Sequence, residues 1–242
     1  MSESMDRFPA ALPHGPVREI FPDVFFVTGG MEAEIGGLEW HFSRNMTVVR
    51  EDGRLTLINS VRLSDAGLTE LEGLGEVAGV VRIGSLHSRD DAFYLDRYGV
   101  PLWQMPGMTH PDGLATDRTL GEGGVMPLRD ASVFEFRTTR IPEGILHLDR
   151  EGGILVACDS LQNWLQPDEH FSEVSRERME AMGFFTPANL GPVWMQAAEP
   201  GAEDFARLKA LPFRHVLCGH GEPLLDTARE DYTATFQRLF GV

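Results

Sequence analysis

Residues 77–91 read VAGVVRIGSLHSRDD and decide the fold of this chain. The first seven of these residues are almost all apolar, which is typical of a strand buried on both faces. A polar loop with His87 and Asp91 follows, and the residues after it predict a helix that ends at Gly99. Because α/β architectures tend to build their sites in loops at strand ends, this loop is the first candidate for a functional site.

Three further polar side chains stand directly after predicted strands. They are Arg140, Asp159 and His220, and His220 lies between two glycines. The three strands cover residues 132–138, 153–158 and 214–218. Five polar residues after four strands, when His87 and Asp91 are included, indicate a shared site at the strand ends.

The order of predicted elements indicates sheets in the middle and helices outside. Residues 17–28 predict two strands around a turn, and residues 29–37 predict a Gly-rich loop. Residues 44–59 predict a hairpin, because an Asp-Gly pair separates two β-rich runs. Residues 105–129 are polar, rich in Gly and Pro, and predict a long loop, whereas the final third of the chain is mostly helical with one late strand.

Charge and composition limit the classes of function. The chain has 242 residues, with 21 Lys and Arg against 37 Asp and Glu, so its formal net charge is −16. No nucleic-acid partner is expected, because phosphate binding needs a basic face. No apolar run approaches the roughly 18 residues of a membrane span. The N-terminal residues do not resemble a signal peptide, so we expect a cytoplasmic protein with no membrane partner.

The order of these motifs resembles that of the metallo-β-lactamase fold superfamily. That family carries His-x-His-x-Asp-His after a buried strand, then a third histidine, a bridging aspartate and a last histidine in a Gly-His-Gly-like turn. Here the first motif retains His87 and Asp91. Asp159 corresponds to the bridging aspartate, and His220 corresponds to the last histidine.

The same resemblance implies the fold and the domain organisation. It covers about residues 17–225, which is most of the chain. Residues 1–242 are then a single domain of class α/β (α+β), built as a four-layer αββα sandwich with two central sheets and helices outside. Residues 1–16 are expected to form an irregular N-terminal segment.

Three histidines of the family pattern are replaced in this chain. Arginine stands at Arg89 and Arg140, and alanine stands at Ala92. The resemblance therefore implies that no dinuclear site forms. The metal-ligand candidates that remain are His87, Asp91, Asp159 and His220. The last three of these could hold a single zinc, iron or manganese ion with an open position for chemistry.

Two functions from different classes fit these residues. The first is a mononuclear metal-dependent hydrolase for a small molecule, with Asp91 and Asp159 as catalytic residues. The second is a non-enzymatic member of the fold with a metal-free pocket, in which Arg89 and Arg140 bind a small anion. Since two arginines would already neutralise two aspartates, the charge balance favours the metal-free pocket. If the fold is right, both guanidiniums are expected within a few ångströms of Asp91 or Asp159, and the alternative is that both arginines reach solvent. The sequence leaves the substrate and the oligomeric state open.

The other notable side chains are assigned to the surface or to packing. Surface positions near the pocket mouth are expected for His41, His110 and His170. Core positions are expected for His147, Cys158 and Cys218. Packing of the helical cover, rather than lining of the pocket, is expected for Trp164, Phe184, Phe185 and Trp194.

Overall fold

Two main β-sheets form the centre of the computed structural model, which describes residues 7–242. The larger sheet has seven strands in chain order: β1 (Arg18–Phe21), β2 (Val24–Ile35), β3 (Leu38–Glu51), β4 (Arg54–Ile58), β5 (Glu76–Arg82), β6 (Leu102–Gln104) and β7 (Arg118–Thr119). The smaller sheet has four strands in the spatial order β13 (His215–Leu217), β10 (Ile154–Val156), β9 (Gly144–Leu148) and β8 (Ala131–Glu135). Two short strands, β11 (Leu161–Gln162) and β12 (Asn189–Leu190), pair with each other.

Six helices accompany these sheets in the described part of the chain: α1 (Asp65–Leu74), α2 (Asp91–Tyr98), α3 (Glu173–Ala181), α4 (Pro192–Ala198), α5 (Ala202–Lys209) and α6 (Ala228–Phe240). Helices α1 and α2 pack on the outer face of the larger sheet. Helices α4, α5 and α6 pack on the outer face of the smaller sheet. The predicted αββα sandwich, with two central sheets and helices outside, is therefore confirmed.

Alternation along single strands builds this layering. In β10, Ile154 and Val156 face the core between the two sheets, whereas Leu155 faces the core under α4 to α6. In β5, Val81 faces the larger sheet's inner side and Val80 faces the helices. Successive side chains of a strand point to opposite faces, so a strand with apolar layers on both sides reads as a continuous apolar run.

The predicted Gly-rich loop over residues 29–37 is wrong. Strands β2 and β3 pair without interruption from Val24↔Val49 to Ile35↔Leu38, so most of the segment is strand. Only Gly36 and Gly37, at φ +63° and +74°, form the turn at the tip. Glycines at 29 and 30 lie in extended backbone beside residues 12–14, where there is little room for a side chain.

Most of the turn and cap residues predicted from the sequence lie at the ends of the observed strands and helices. The predicted Asp52-Gly53 turn joins β3 to β4 with both residues in the left-handed region. The predicted cap Ser64 accepts a hydrogen bond from Gly67 N at 3.3 Å, and Gly99 ends α2 at φ +63°. The helix expected to start near Thr186-Pro187 begins instead at Pro192.

The N-terminal prediction is only partly covered by the described residues. Residues 1–6 of the expected irregular segment 1–16 lie outside them. From residue 7 to residue 17 the chain contains no helix or strand, although His14 forms an isolated bridge with Gly29. The single domain over 1–242 stays a prediction. Between residues 7 and 242, no helix combines the length and apolar character needed to cross a bilayer.

Candidate active site

The buried guanidinium of Arg82 fixes the loop after β5 through hydrogen bonds. This group donates to Ser85 O at 2.6 Å and to Gln104 Oε1 at 2.7 Å, and it also bonds His87 O. Two carbonyls of the loop are thereby tied to one rigid, planar donor at the end of a central strand. The position of His87 follows from this anchoring.

Three predicted site residues meet at the strand ends: His87, Asp159 and His220. The two histidines approach to 3.0 Å between their Nε2 atoms. Asp159 Oδ1 lies 3.1 Å from His220 Nε2, and Asp159 Oδ2 lies 3.5 Å from His87 Nε2. All three side chains are buried, and we call this set the His-Asp-His triad.

The Gly-His-Gly turn lets His220 reach the triad. Asn45 on β3 pins this turn, because its side-chain amide donates to Cys218 O at 3.0 Å and to Gly221 O at 2.7 Å. A Cβ on Gly221 would overlap the backbone of Asn163, and Gly221 also has φ +84°. A Cβ on Gly219 would crowd the backbone at the end of β10. Glycine is therefore required on both sides of His220.

The hydrogen bond on the far side of His220 determines which ring nitrogen carries the proton. Nδ1 lies 3.0 Å from Ser43 O, which can only accept, so Nδ1 is the donor and Nε2 of the neutral ring has a lone pair. That lone pair faces Asp159 Oδ1, which is also an acceptor. The two acceptors repel each other unless a positive species, a proton or a metal ion, lies between them.

Asp159 is held in place through its backbone by a second buried carboxyl group. Glu143 Oε1 accepts from Asp159 N at 3.0 Å and from Ser160 N at 2.6 Å. Burial, together with the charge of Asp159, raises the pKa of Glu143 well above its usual range. Burial would also raise the pKa of Asp159, but the imidazoles of His87 and His220 hold that pKa well below its usual range. The surroundings therefore favour the neutral acid form of Glu143 and the carboxylate form of Asp159, relative to free side chains.

Cys158 lies directly behind the triad. Its thiol donates to Asp159 Oδ2 at 3.2 Å. His87, Cys158 and Asp159 also form a group of three potential metal-ligating side chains, with ligand atoms within 4.8 Å of one another. Burial raises the pKa of Cys158 well above its usual range, so the thiol keeps its proton when no metal is bound.

A cavity of about 410 Å³ opens onto the triad. Its walls include three tryptophans and two phenylalanines: Trp40, Trp164, Trp194, Phe42 and Phe184. The Trp164 ring lies 4.8 Å from the His220 ring, centroid to centroid. Trp164, Phe184 and Trp194 were expected to pack rather than line the pocket, and they do both, because their buried rings form the wall itself.

Comparison with solved structures identifies the fold. The DIM-1 metallo-β-lactamase aligns with a TM-score of 0.60 and 14% identity over 95% of this chain and 99% of that chain. The mono-zinc form of FIM-1 from Pseudomonas aeruginosa aligns with a TM-score of 0.60 and 13% identity over 95% of this chain and 97% of that chain. The chain has the metallo-β-lactamase fold. A metallo-β-lactamase from Hirschia baltica aligns with a TM-score of 0.58 and 13% identity, covering 92% and 98% of the two chains.

Other comparisons add no family assignment. No family model matches the sequence. No curated protein matches it either. At identities of 13–16%, the solved structures show the fold alone, and residue roles have to be argued from this chain's own contacts.

In this metallo-β-lactamase fold, Asp91 lies outside the triad. Its Oδ1 accepts from Ser60 Oγ at 2.6 Å, and its Oδ2 lies 3.5 Å from Nε2 of His110. The structure places Asp91 against Ser60 and His110, whereas His87 contacts Asp159 and His220 directly, so the predicted ligand set of Asp91, Asp159 and His220 stays a prediction. The expectation that His110 lies at the surface is wrong, because its side chain is fully buried against Asp91.

Arg89 was expected to pair with Asp91 or Asp159, but in the structure it pairs with Asp90. Arg89 Nη1 donates to Asp90 Oδ1 at 2.7 Å, and Arg44 of β3 donates to the other oxygen of the same carboxylate. Both arginines line the cavity beside the triad. The neighbouring aspartate captures the guanidinium because it lies one residue away, at the N-terminus of α2.

Arg140 lies away from the pocket, so its predicted contact with Asp91 or Asp159 is wrong. Its side chain is 69% exposed and pairs with Glu199. The reason is the backbone, because Arg140 N donates to Ala198 O at 2.8 Å and turns this segment toward α4. The buried acid that approaches the site from this segment is Glu143, three residues later.

Sequence reasoning missed Arg44 and Glu143 as site residues. Arg44 belongs to a β-rich run and is 3% exposed, a position where a lone charged residue is normally on the solvent face. Glu143 follows Pro142, a few residues after the predicted strand 132–138. Neither residue carried a local signal, because the strand around Arg44 is itself rich in polar residues. His41 and His170, expected near the pocket mouth, line a separate cavity of about 350 Å³ with His14.

Proposed function

We propose that this chain is a hydrolase of the metallo-β-lactamase fold that works with one divalent metal ion, held by His87, Asp159 and His220. The observation that carries the proposal is the meeting of lone pairs in the triad. The Nε2 atoms of His87 and His220 lie 3.0 Å apart, and the two carboxylate oxygens of Asp159 divide between them, with Oδ1 at 3.1 Å from His220 Nε2 and Oδ2 at 3.5 Å from His87 Nε2. Tetrahedral zinc, with ligands at about 2.0–2.1 Å, separates its ligand atoms by about 3.3 Å.

The surroundings of the triad support a metal ion over a shared proton. His220 donates its second ring N–H to a backbone carbonyl, which is the usual support of a metal-ligating histidine. Burial lowers the pKa of His87, so its ring favours the neutral, ligand-competent form. A donor set of two histidines and one carboxylate suits zinc, and iron or manganese fits the same atoms.

The chain's own residues divide the work of the proposed reaction. When bound, the ion supplies Lewis-acid polarisation of a carbonyl or ester group. His87, Asp159 and His220 hold it, and Glu143 orients Asp159 through two backbone N–H groups. The aromatic wall excludes water and positions the apolar part of a small-molecule substrate beside the triad. Asp91, which contacts Ser60 and faces His110, supports the loop rather than the reacting group.

Metal stoichiometry tests the proposal. Protein purified without chelator, supplied with excess zinc and dialysed should retain about one zinc per chain. Asp159→Asn and His220→Gln should each lose it, because each removes a ligand while keeping the volume. His147→Gln is the matched control, since His147 is another buried histidine that contacts Pro212 O at 2.8 Å. Zinc-dependent hydrolysis of p-nitrophenyl octanoate, absent in the first two variants, would complete the test.

The alternative is a non-enzymatic protein with a metal-free, anion-binding pocket. Its predicted pair of arginines is not assembled, because Arg140 faces solvent and only Arg89 lines the cavity. Wild-type protein that retains no zinc would overturn the hydrolase proposal in favour of this one. Variants that retain as much zinc as wild type would overturn the assignment of the ion to the triad. The expectations of no nucleic-acid partner and no membrane partner stay predictions.

A further inference from the structure

The cavity at the triad is built for an apolar group. Of the four tryptophans in the chain, Trp40, Trp164 and Trp194 line it. Its volume of about 410 Å³ lies within the range of small-molecule sites. Phe184 and Met179 continue the wall from the side of α3. Flat aromatic walls of this kind bind aliphatic chains and rings through dispersion and exclusion of water.

One end of the same cavity carries a surplus of positive charge. Arg44 and Arg89 share a single carboxylate, Asp90, which also accepts from Arg62 N at 2.6 Å. At this end of the cavity, two positive charges against one negative charge leave a net charge of +1, and the further carboxylate among the cavity-lining residues is Asp159, at the triad. Arg44 Nε is buried and has no hydrogen-bond partner among residues 7–242. A buried donor without a partner is unfavourable unless a ligand satisfies it.

We infer that this pocket takes a small amphipathic anion, with an aliphatic or aromatic body against the tryptophan wall and a carboxylate or similar head at Arg44 and Arg89. Hydrolysis of such a ligand rests on the proposed function, whereas binding of the ligand does not. Arginine is suited to such a head because its planar fork matches a carboxylate. Because the whole chain has a formal net charge of −16, this positive end is a local exception that favours an anion at this place.

Four probes with matched bodies or heads test the class of ligand. Octanoate, 1-octanol and octylammonium share one chain and differ in charge, and acetate has the head without the body. Binding is measured by tryptophan fluorescence and calorimetry, with and without zinc. Octanoate should bind about tenfold more tightly than 1-octanol and octylammonium, the difference made by a charge-assisted hydrogen bond, and acetate should not compete with it.

Variants separate the two ends of the pocket. Arg89→Gln should weaken octanoate binding about tenfold and leave 1-octanol binding unchanged. Phe184→Ala should weaken both ligands. Arg140→Gln is the matched control, because this exposed arginine lies outside the cavity and should change nothing. Melting temperatures of each variant report whether the fold is intact, and the comparison among the four probes on wild-type protein does not depend on any variant.

The outcomes distinguish this inference from the proposed function. Octanoate preference with no retained zinc supports the amphipathic-anion pocket and removes the hydrolase. Retained zinc with no preference for octanoate over octylammonium overturns the pocket inference and leaves the hydrolase. Equal effects of Arg89→Gln and Arg140→Gln on octanoate binding also overturn it.

Discussion

Two buried carboxylates near the same cavity, Asp90 and Asp159, have opposite surroundings. Asp90 is paired with Arg44 and Arg89 and accepts a backbone N–H from Arg62. Asp159 faces the imidazoles of His87 and His220, which can lend lone pairs as well as protons. Guanidinium groups have no lone pair to offer, so the surroundings of Asp90 are closed to a metal ion, whereas those of Asp159 require an added positive charge.

Under the proposed function, this difference separates the metal position at Asp159 from the neighbouring position that Arg89 occupies. At the Arg89 position the family pattern has a neutral histidine, and a permanent positive charge there attracts a carboxylate away from any ion. Asp91, next to Asp90, turns instead to Ser60 and His110. In the proposed site, His87 from the same loop joins Asp159 and His220, which come from two other strand ends.

The largest expected effect is on stability, at Asp90. Asp90→Asn leaves Arg44 and Arg89 without their shared counter-charge, and for a buried pair this lowers the unfolding free energy by about 3–5 kcal/mol. Asp96→Asn, which breaks an exposed pair with Arg7, should lower it by less than about 1 kcal/mol. Urea denaturation of metal-free protein measures both.

The matching substitution at the triad is Asp159→Asn. Asp159→Asn should abolish zinc retention yet lower the unfolding free energy of metal-free protein less than Asp90→Asn does. Equal losses in the two variants would show that the two carboxylates are not in different electrostatic surroundings.

The second prediction concerns the pH dependence that Glu143 brings to the triad. Because the folded protein raises the pKa of Glu143, its contribution to stability is present below the usual glutamate pKa and is lost as pH rises through the folded value. Relative to Glu143→Gln, wild-type protein should lose at most about 1.4 kcal/mol for each pH unit in that interval. Urea denaturation of both proteins from pH 4.5 to pH 8 gives the difference curve.

A matched variant checks that the effect belongs to ionisation. Glu143→Gln keeps an oxygen to accept from Asp159 N and Ser160 N, so zinc retention should persist. Glu143→Ala removes the acceptor and should weaken zinc binding by about 10–100-fold. A flat difference curve for Glu143→Gln would mean that Glu143 is ionised in the folded protein.

The smallest expected effect is at the thiol behind Asp159. Cys158→Ser keeps a donor to Asp159 Oδ2, so zinc affinity should change by less than about tenfold. Cys218→Ser is the matched control, because burial raises the pKa of Cys218 to about 12 and its partner is Tyr232 rather than the triad. A strong near-ultraviolet thiolate band in cobalt-substituted wild-type protein, lost in Cys158→Ser, would instead place Cys158 among the metal ligands.

Elements with strong local chemistry were predictable from the sequence. The Asp52-Gly53 hairpin turn and the Gly99 helix end depend on left-handed backbone that few residue types adopt, so the residue type reveals the structure. The Gly-rich segment 29–37 was misread for a related reason. Glycine at 29 and 30 serves close packing against residues 12–14 in an extended strand, and a sequence does not distinguish that use from a loop.

For the site, the sequence identified residues but not all of their partners. His87, Asp159 and His220 were predictable because each follows a strand, and strand ends meet at one edge. The position of Asp91 was not predictable, since it depends on Ser60 and His110, which lie 31 and 19 residues away along the chain. The exposed position of Arg140 depends on a backbone hydrogen bond from Arg140 N to Ala198 O, which the sequence does not reveal.

By itself, the sequence determined the layered sandwich and three of its site residues, because periodic apolar runs and turn residues act locally along the chain. The tertiary structure alone decided which charges meet. It assigned Arg44 and Arg89 to Asp90, sent Arg140 to solvent, and brought buried Glu143 under Asp159. The partner of a long charged side chain depends on which opposite charges lie nearby and how deeply the pair is buried, and these neighbours come from strands far apart in sequence. The strength of each ion pair depends on the local dielectric and geometry rather than on residue order.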